Sequence, residues 1–310
     1  MQYLMLAGGL IFLFAGGEVL VKGSVALALH LGISKLMVAV VLVGFGTSAP
    51  EMLVSVESAI LGHPELALGN AVGSNIANIL LIVGITAAIY PIVVQRSDVQ
   101  ADTWSVVVVT VAFVAAGLIG NLSIWHGMAM IAALALYVAV AYRRAGHDGP
   151  VAGGDVEVSE LTTARAIVFT LIGFALLIVG ADLLVEGAVG VALTLGVSEA
   201  IIGLTVVALG SSLPELATCA SAARRREPLV AVGNVLGSNI FNLLGAVGVV
   251  ALITDIRTTS PLISDDLMIM LAVTVVLAIL LLYVYRIGRP TGFAFMGAYG
   301  LYVAGAFGFS

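Results

Sequence analysis

The sequence predicts an all-α membrane protein of ten transmembrane helices, arranged as two inverted five-helix repeats with helices 2 and 7 broken. Three observations carry this. Apolar runs of about 20 residues recur along the whole chain, which has 310 residues, 61% hydrophobic and 10% charged. The chain also matches itself when slid by 164 residues. From Leu31 to Leu80, 19 of 50 positions are then identical, and the identities include Gly, Pro, Glu, Asn and Ser. Finally, each copy holds one apolar run interrupted by glycine, hydroxyls, proline and an acid within eight residues.

Composition excludes other classes. A soluble domain is about 45–50% apolar, whereas this chain has a mean hydropathy of +1.18. Strand alternation is absent, which argues against a β-barrel. The net charge of −6 comes from scattered acids, so there is no basic face for nucleic acid and no acidic tail. Cys219 is the single cysteine, so no intrachain disulfide or cysteine metal cluster can form. The first apolar run lacks a basic leader and has a later copy, so it reads as a span and not a cleaved signal.

The elements follow in order. The first span, 3–30, contains "GGEVLVKGSVALALHLGIS" from Gly16, and the sixth, 164–192, contains "GADLLVEGAVGVALTLGVS" from Gly180. Spans two and seven, 36–61 and 199–223, hold "GTSAPE" and "GSSLPE". Spans three and eight, 66–90 and 229–254, hold "GNAVGSNIAN" and "GNVLGSNIFN". Spans four and five (104–120 and 123–142) close the first half, and nine and ten (267–285 and 291–308) close the second. Gly, Pro and acids from Arg143 to Thr163 mark a linker. The division is therefore 1–143, a cytoplasmic linker 144–162, and 163–310.

Five spans per half insert the copies in opposite directions. With both termini outside, the cytoplasmic ends hold Lys35, Arg96, Arg143, Arg144, Arg165, Arg224, Arg225, Arg226, Arg286 and Arg289. The other side holds only Arg257, with Lys22 inside the first span. This is a strong positive-inside bias for a multi-pass protein of the cytoplasmic (inner) membrane. Inverted repeats point to secondary transport, with a site at the repeat interface.

The broken helices supply that site. Pro50 lacks an N–H and crowds the carbonyl of Gly46, so carbonyls from Gly44 to Thr47 lose helical partners. Pro214 does the same near Ala208 to Ser211. Non-helical backbone at membrane depth is tolerated only in protein or at a polar cavity. Glu51 and Glu215 follow each break, with Thr47, Ser48, Ser211 and Ser212 beside them. A buried acid costs about 2.5–3.5 kcal/mol at a helix centre, and two facing acids repel. A bound cation removes both penalties. Carboxylate, carbonyl and hydroxyl oxygens suit calcium or sodium better than zinc or copper. Asn70, Ser74 and Asn78 line one helical face, repeated by Asn234, Ser238 and Asn242. Gly69 with Gly73, and Gly233 with Gly237, allow close helix approach.

These motifs resemble the two α-repeats of sodium/calcium exchangers, in the prokaryotic branch of the calcium/cation antiporter superfamily. The resemblance covers nearly the whole chain. It implies ten spans, overlapping central sites for calcium and sodium, and alternating access by sliding of the first and sixth helices. It implies Glu51 and Glu215 as ligands, with Thr47, Ser48, Ser74, Asn78, Ser211, Ser212, Ser238 and Asn242 around them and the carbonyls of Gly44 and Ala208 in matching positions. Ser211 stands where Thr is common. Asn242 stands where potassium-dependent relatives tend to carry Asp, which favours a potassium-independent exchanger. No cofactor and no protein partner is implied, only the ions and the bilayer.

The remaining polar residues have plainer expectations. Asn70, Asn75, Asn234 and Asn239 read as interhelical hydrogen bonders. Glu18 and Asp182 are a matched pair serving structure or an ion access path, with Lys22 spaced to pair with Glu18. Glu57 lies near the interface. Arg224 to Arg226 anchor topology. A proton-coupled cation antiporter of the same fold is the rival function, since carboxylates bind protons too. An intramembrane hydrolase lacks a histidine at depth. A channel is disfavoured by the matched broken helices.

Overall fold

The computed structural model describes residues 1–145, 161–194, 210–258 and 261–308, all organised around membrane-length helices. In chain order these are α1 (Gln2–Leu31), α2 (Lys35–Thr47), α3 (Ala49–Ile60), α4 (Pro64–Ile89), α5 (Arg96–Gly117) and α6 (Ile124–Ala145). They continue with α7 (Thr163–Thr194), α8 (Leu213–Arg224), α9 (Pro228–Ile253), α10 (Pro261–Ile279) and α11 (Arg289–Gly308). Seven helices among the described residues are long and apolar enough to cross a bilayer, or eight if the bent pair α2–α3 is one span. The protein is thus an all-α membrane protein. Two expected boundaries move: α5 begins at Arg96, about two turns before the expected 104, and α10 begins at Pro261. In both cases the polar first turns continue the helix.

Local sequence explains the turns between helices. α1 ends at Gly32, whose φ of 64° lets its amide reach the carbonyls of Ala28 and Leu29. Ser34 then caps α2 by accepting from the Met37 amide. Among the described residues, π turns occur at Ala39–Val43 in α2, Asn78–Ile82 in α4, Phe241–Ala246 in α9 and, directly after α10, Leu280–Val284. Such turns recur at functional sites.

α1 and α7 lie against each other along their lengths and run antiparallel. Gly9, Gly16 and Gly23 of α1 meet the backbone at Leu184, Leu177 and Thr170, and Gly173, Gly180 and Gly187 of α7 meet it at Leu20, Leu13 and Leu6. The spacing is seven residues in both helices, so a stripe of glycines faces the partner at every second turn. The two helices are copies of each other under the 164-residue shift.

The ends of the bundle are tied crosswise. At one end, β1 (Ile92–Val93) pairs antiparallel with β4 (Arg286–Ile287). There Lys35 bridges Glu227 at 2.9 Å, Arg226 stacks over Tyr90 and Arg96 over Tyr283. At the other end, β2 (Asn121–Leu122) pairs with β3 (Ile256–Arg257). The basic residues Lys35, Arg96, Arg226 and Arg286 therefore share one end, with Arg257 at the other. α5 and α6 are joined by the Tyr137 hydroxyl, which donates to Asp102 Oδ1 at 2.9 Å. Asp266 and Tyr302 stand together in the equivalent place between α10 and α11.

The partner of Glu18 is not Lys22, as the helical spacing suggested. Glu18 bonds Arg225 at 2.7 Å, with Arg224 at 3.8 Å, while Lys22 leans over the Phe169 ring. The arginine run after α8 thus holds α1 as well as marking the end of a span.

Candidate cation site

The centre of the bundle is built from the starts of α3 and α8. Ser48, with φ −84° and ψ 7°, breaks the α2–α3 pair, which bends by 42°. Ser212 has nearly the same angles, φ −89° and ψ 6°, before α8. Each helix has Pro in its first two positions and an acid in its first turn, Glu51 or Glu215. The run Ser-x-Pro-Glu is a capping-box sequence, in which the serine would normally bond its own helix. Neither serine caps its own helix here. Instead Ser48 Oγ donates to Glu215 Oε1 at 2.8 Å, and Ser212 Oγ donates to Glu51 Oε1 at 3.0 Å. The two half-boxes are exchanged across the repeat. Both carboxylates are sealed from solvent, with Glu51 1% and Glu215 0% exposed.

α4 and α9 supply the walls. Ser74 Oγ lies 3.5 Å from Ser212 Oγ, and Ser238 Oγ lies 3.4 Å from Glu215 Oε1 and 3.3 Å from the Gly44 carbonyl. Asn70 Nδ2 donates to the Glu51 carbonyl and Ser55, and Asn234 Nδ2 to the Glu215 carbonyl and Cys219 Sγ. Farther along the same faces, Asn78 Nδ2 donates to Asn239 Oδ1 at 3.0 Å and Asn242 Nδ2 to Asn75 Oδ1 at 3.1 Å.

Among the described residues, five buried side-chain oxygens of this region have no hydrogen-bond partner. They are Glu51 Oε2, Glu215 Oε2, Asn78 Oδ1, Asn242 Oδ1 and Ser211 Oγ. Buried polar atoms are rarely left unpaired, and two unpaired carboxylate oxygens in a dry core are especially costly. The set is oxygen only, and the described residues hold no group of three or more His, Cys, Asp or Glu. This chemistry selects a hard cation over a transition metal.

Most of the expected residues converge here. Glu51, Ser212 and Ser74 are linked, as are Glu215, Ser48 and Ser238; Ser211 stands beside Glu51, while Asn78 and Asn242 bond Asn239 and Asn75 farther along α4 and α9. Thr47 has three acceptors within reach: the carbonyls of Val43 and Gly44, and Asn234 Oδ1 at 3.0 Å. The Gly44 carbonyl is not freed by the break; it accepts from the Ser48 amide at 3.2 Å. The reason is that Pro50 withdraws a donor from Gly46, two residues later. Ala208 and the first half of the seventh span lie outside the described residues, as do residues 146–160 of the linker.

Residues 1–143 and 165–308 match the sodium/calcium exchanger protein family. An uncharacterised membrane protein of Methanocaldococcus jannaschii is 33% identical over 306 residues, covering 96% of this chain and 95% of its own. The sodium/calcium exchanger MaX1 of Methanosarcina acetivorans is 28% identical, covering 96% of each chain. Among solved structures, the sodium/calcium exchanger from Methanococcus jannaschii superposes with a TM-score of 0.86 at 30% identity, covering 98% of this chain and 97% of its own. The broken α2–α3 pair, the exchanged Ser–Glu contacts and this similarity along nearly the whole chain agree: the protein belongs to the sodium/calcium exchanger family of membrane cation antiporters.

Proposed function

We propose that the protein exchanges sodium for calcium by alternating access, with both ions bound in turn between the two halves. The observation that carries this is the set of unpaired oxygens flanked by the exchanged Ser48–Glu215 and Ser212–Glu51 contacts. Glu51 and Glu215 supply the formal charge that a divalent ion requires. Asn78, Asn242, the four serines around the carboxylates, Ser211 and Thr47 supply neutral oxygens, and the family likeness adds the carbonyls of Gly44 and Ala208. Sodium occupies overlapping parts of the same set, and more than one is needed to match the charge of calcium. Either ion set permits the inward–outward switch, whereas the empty site keeps two unpaired carboxylates in low dielectric and resists it. Exchange follows from competition.

The proposed architecture is ten spans in two inverted halves. The antiparallel contact of α1 with its copy α7 supports the inversion. The shared end of Lys35, Arg96, Arg226 and Arg286 supports a cytoplasmic assignment for that end in the inner membrane. Single cysteines at the exposed Leu61 and Val93, in a Cys219→Ser background, should react with impermeant thiol reagents from opposite faces. Labelling of both from one face would reject the topology.

Coupling is tested in vesicles loaded with sodium. Dilution into sodium-free medium should drive calcium uptake, without potassium, because Asn242 brings no third acid. Uptake that ignored sodium and followed a proton gradient at clamped voltage would replace this reading with proton-coupled exchange.

A further inference from the structure

We propose that Asn75 and Asn239 are positioning residues that decide which atom of Asn78 and Asn242 faces the cation; this rests on the proposed ion site. A primary amide has a donor end and an acceptor end of nearly the same shape. Only the oxygen can ligate a cation; the NH₂ end repels it. An asparagine lining such a site therefore needs something to hold its NH₂ away. Asn78 and Asn242 have their NH₂ groups taken: Asn78 Nδ2 donates to Asn239 Oδ1, and Asn242 Nδ2 donates to Asn75 Oδ1. Both Oδ1 atoms are thereby left buried and without a partner. The bond in each case crosses from α4 to α9, so each half orients the ligand of the other. Asn75 is in turn oriented by its own Nδ2, which donates to the Asn239 carbonyl at 3.1 Å. All four side chains are at most 1% exposed, so no water competes for these bonds. The π turns beginning at Asn78 and Phe241 place Asn78 and Asn242 where the helices are locally widened.

This arrangement explains why an asparagine is tolerated at these two positions and what it requires. An aspartate at position 78 presents oxygen in either orientation and needs no orienting partner. Its oxygen would meet Asn239 with no loss, because Asn239 Nδ2 is unpartnered and can turn towards it.

The test is a double-substitution cycle. In vesicles, the calcium concentration for half-maximal exchange is measured for the wild type, Asn239→Leu, Asn78→Asp and the double variant. Asn239→Leu keeps the backbone carbonyl that Asn75 uses but removes the acceptor that holds Asn78. With the native Asn78 it should raise the half-maximal calcium concentration about tenfold or more, as losing an outer partner of a metal ligand does. In the Asn78→Asp background the same substitution should change it by about twofold or less. Equal factors in both backgrounds, or no change in the first, would overturn the proposal. On the other half, Asn75→Leu with Asn242→Asp serves if Asn239→Leu does not fold: Asn75→Leu should again weaken calcium binding with the native Asn242, but in the Asn242→Asp background it should leave binding unchanged or improve it, because Asn75 Nδ2 is held by the Asn239 carbonyl and its Oδ1 would face the aspartate. Thermal unfolding in ion-free buffer reports any general loss of packing separately. Absence of calcium exchange in the wild type would reject the functional reading instead, which is a different outcome from equal factors.

Discussion

Glu51→Gln and Glu215→Gln should each reduce calcium affinity roughly 100-fold or more and bring exchange near zero, while the protein stays folded. Each substitution keeps the shape and one oxygen of the side chain and removes half of the formal charge facing a divalent ion. Losing one partner from a buried charge pair costs about 3–5 kcal/mol, and every 1.4 kcal/mol or so is tenfold in affinity. The hydrogen bonds should survive, because the amide oxygen can still accept from Ser212 at position 51 or from Ser48 at position 215. In ion-free buffer the variants should be at least as stable as the wild type, since one of two unpaired buried carboxylates is gone. What they should lose is the rise in unfolding temperature that calcium gives a protein that binds it only when folded. An intact Gln variant with wild-type exchange and a wild-type calcium response would exclude the central site. Loss of folding without ions would mean that the acids are structural.

Much of this site was legible in the sequence because membrane burial makes polar residues conspicuous. Glu51 and Glu215 stand out beside Pro50 and Pro214, and the 164-residue repeat doubles every signal. The exchange of the capping boxes was not legible. Ser48-Ala-Pro-Glu51 reads as a local motif, and nothing in the chain says that its serine bonds Glu215 instead. Asn75 and Asn239 were recognisable only as hydrogen bonders, since their partners Asn242 and Asn78 lie in the other half and depend on how α4 and α9 face each other. The pairing of Glu18 with Arg225, 207 residues apart in sequence, lay beyond the helical spacing that suggested Lys22. The glycine heptads of α1 and α7 were visible as letters, but their meaning needed the antiparallel contact. The duplicated Asp102–Tyr137 and Asp266–Tyr302 pairs are hidden for a simple reason. One extra residue falls between the two members in the second half, so a gapless comparison aligns the acids and not the tyrosines.

Gly237→Ala should destabilise the protein and weaken calcium exchange together, although it adds a single methyl group. At this position α9 crosses α2 so closely that a Cβ would lie 2.1 Å from the Val40 carbonyl oxygen and 2.8 Å from its carbon. From the other side, a Cβ on Gly44 would lie 2.9 Å from the Ser238 amide. The obstructing atoms at Val40 are backbone, so no rotamer change relieves the contact, and the helices must move apart. Overpacking in a tight core costs about 1–3 kcal/mol, occasionally more; a clash with fixed backbone belongs at the upper end. Separation also carries Ser238 away from the Gly44 carbonyl, now 3.3 Å distant, and from Glu215 Oε1. The loss therefore reaches the site through geometry and not through charge. Gly8→Ala is the control: its Cβ meets only Leu183 Cδ1, at 3.9 Å. Replacing glycine within a helix there should be neutral or stabilise by about 0.5–1 kcal/mol. Thermal unfolding in detergent, with sodium-driven calcium uptake in vesicles, reads both effects. A Gly237→Ala protein that unfolds at the wild-type temperature would show that α2 and α9 do not cross at this distance, and with it the placement of Ser238 beside Gly44 and Glu215 would fall.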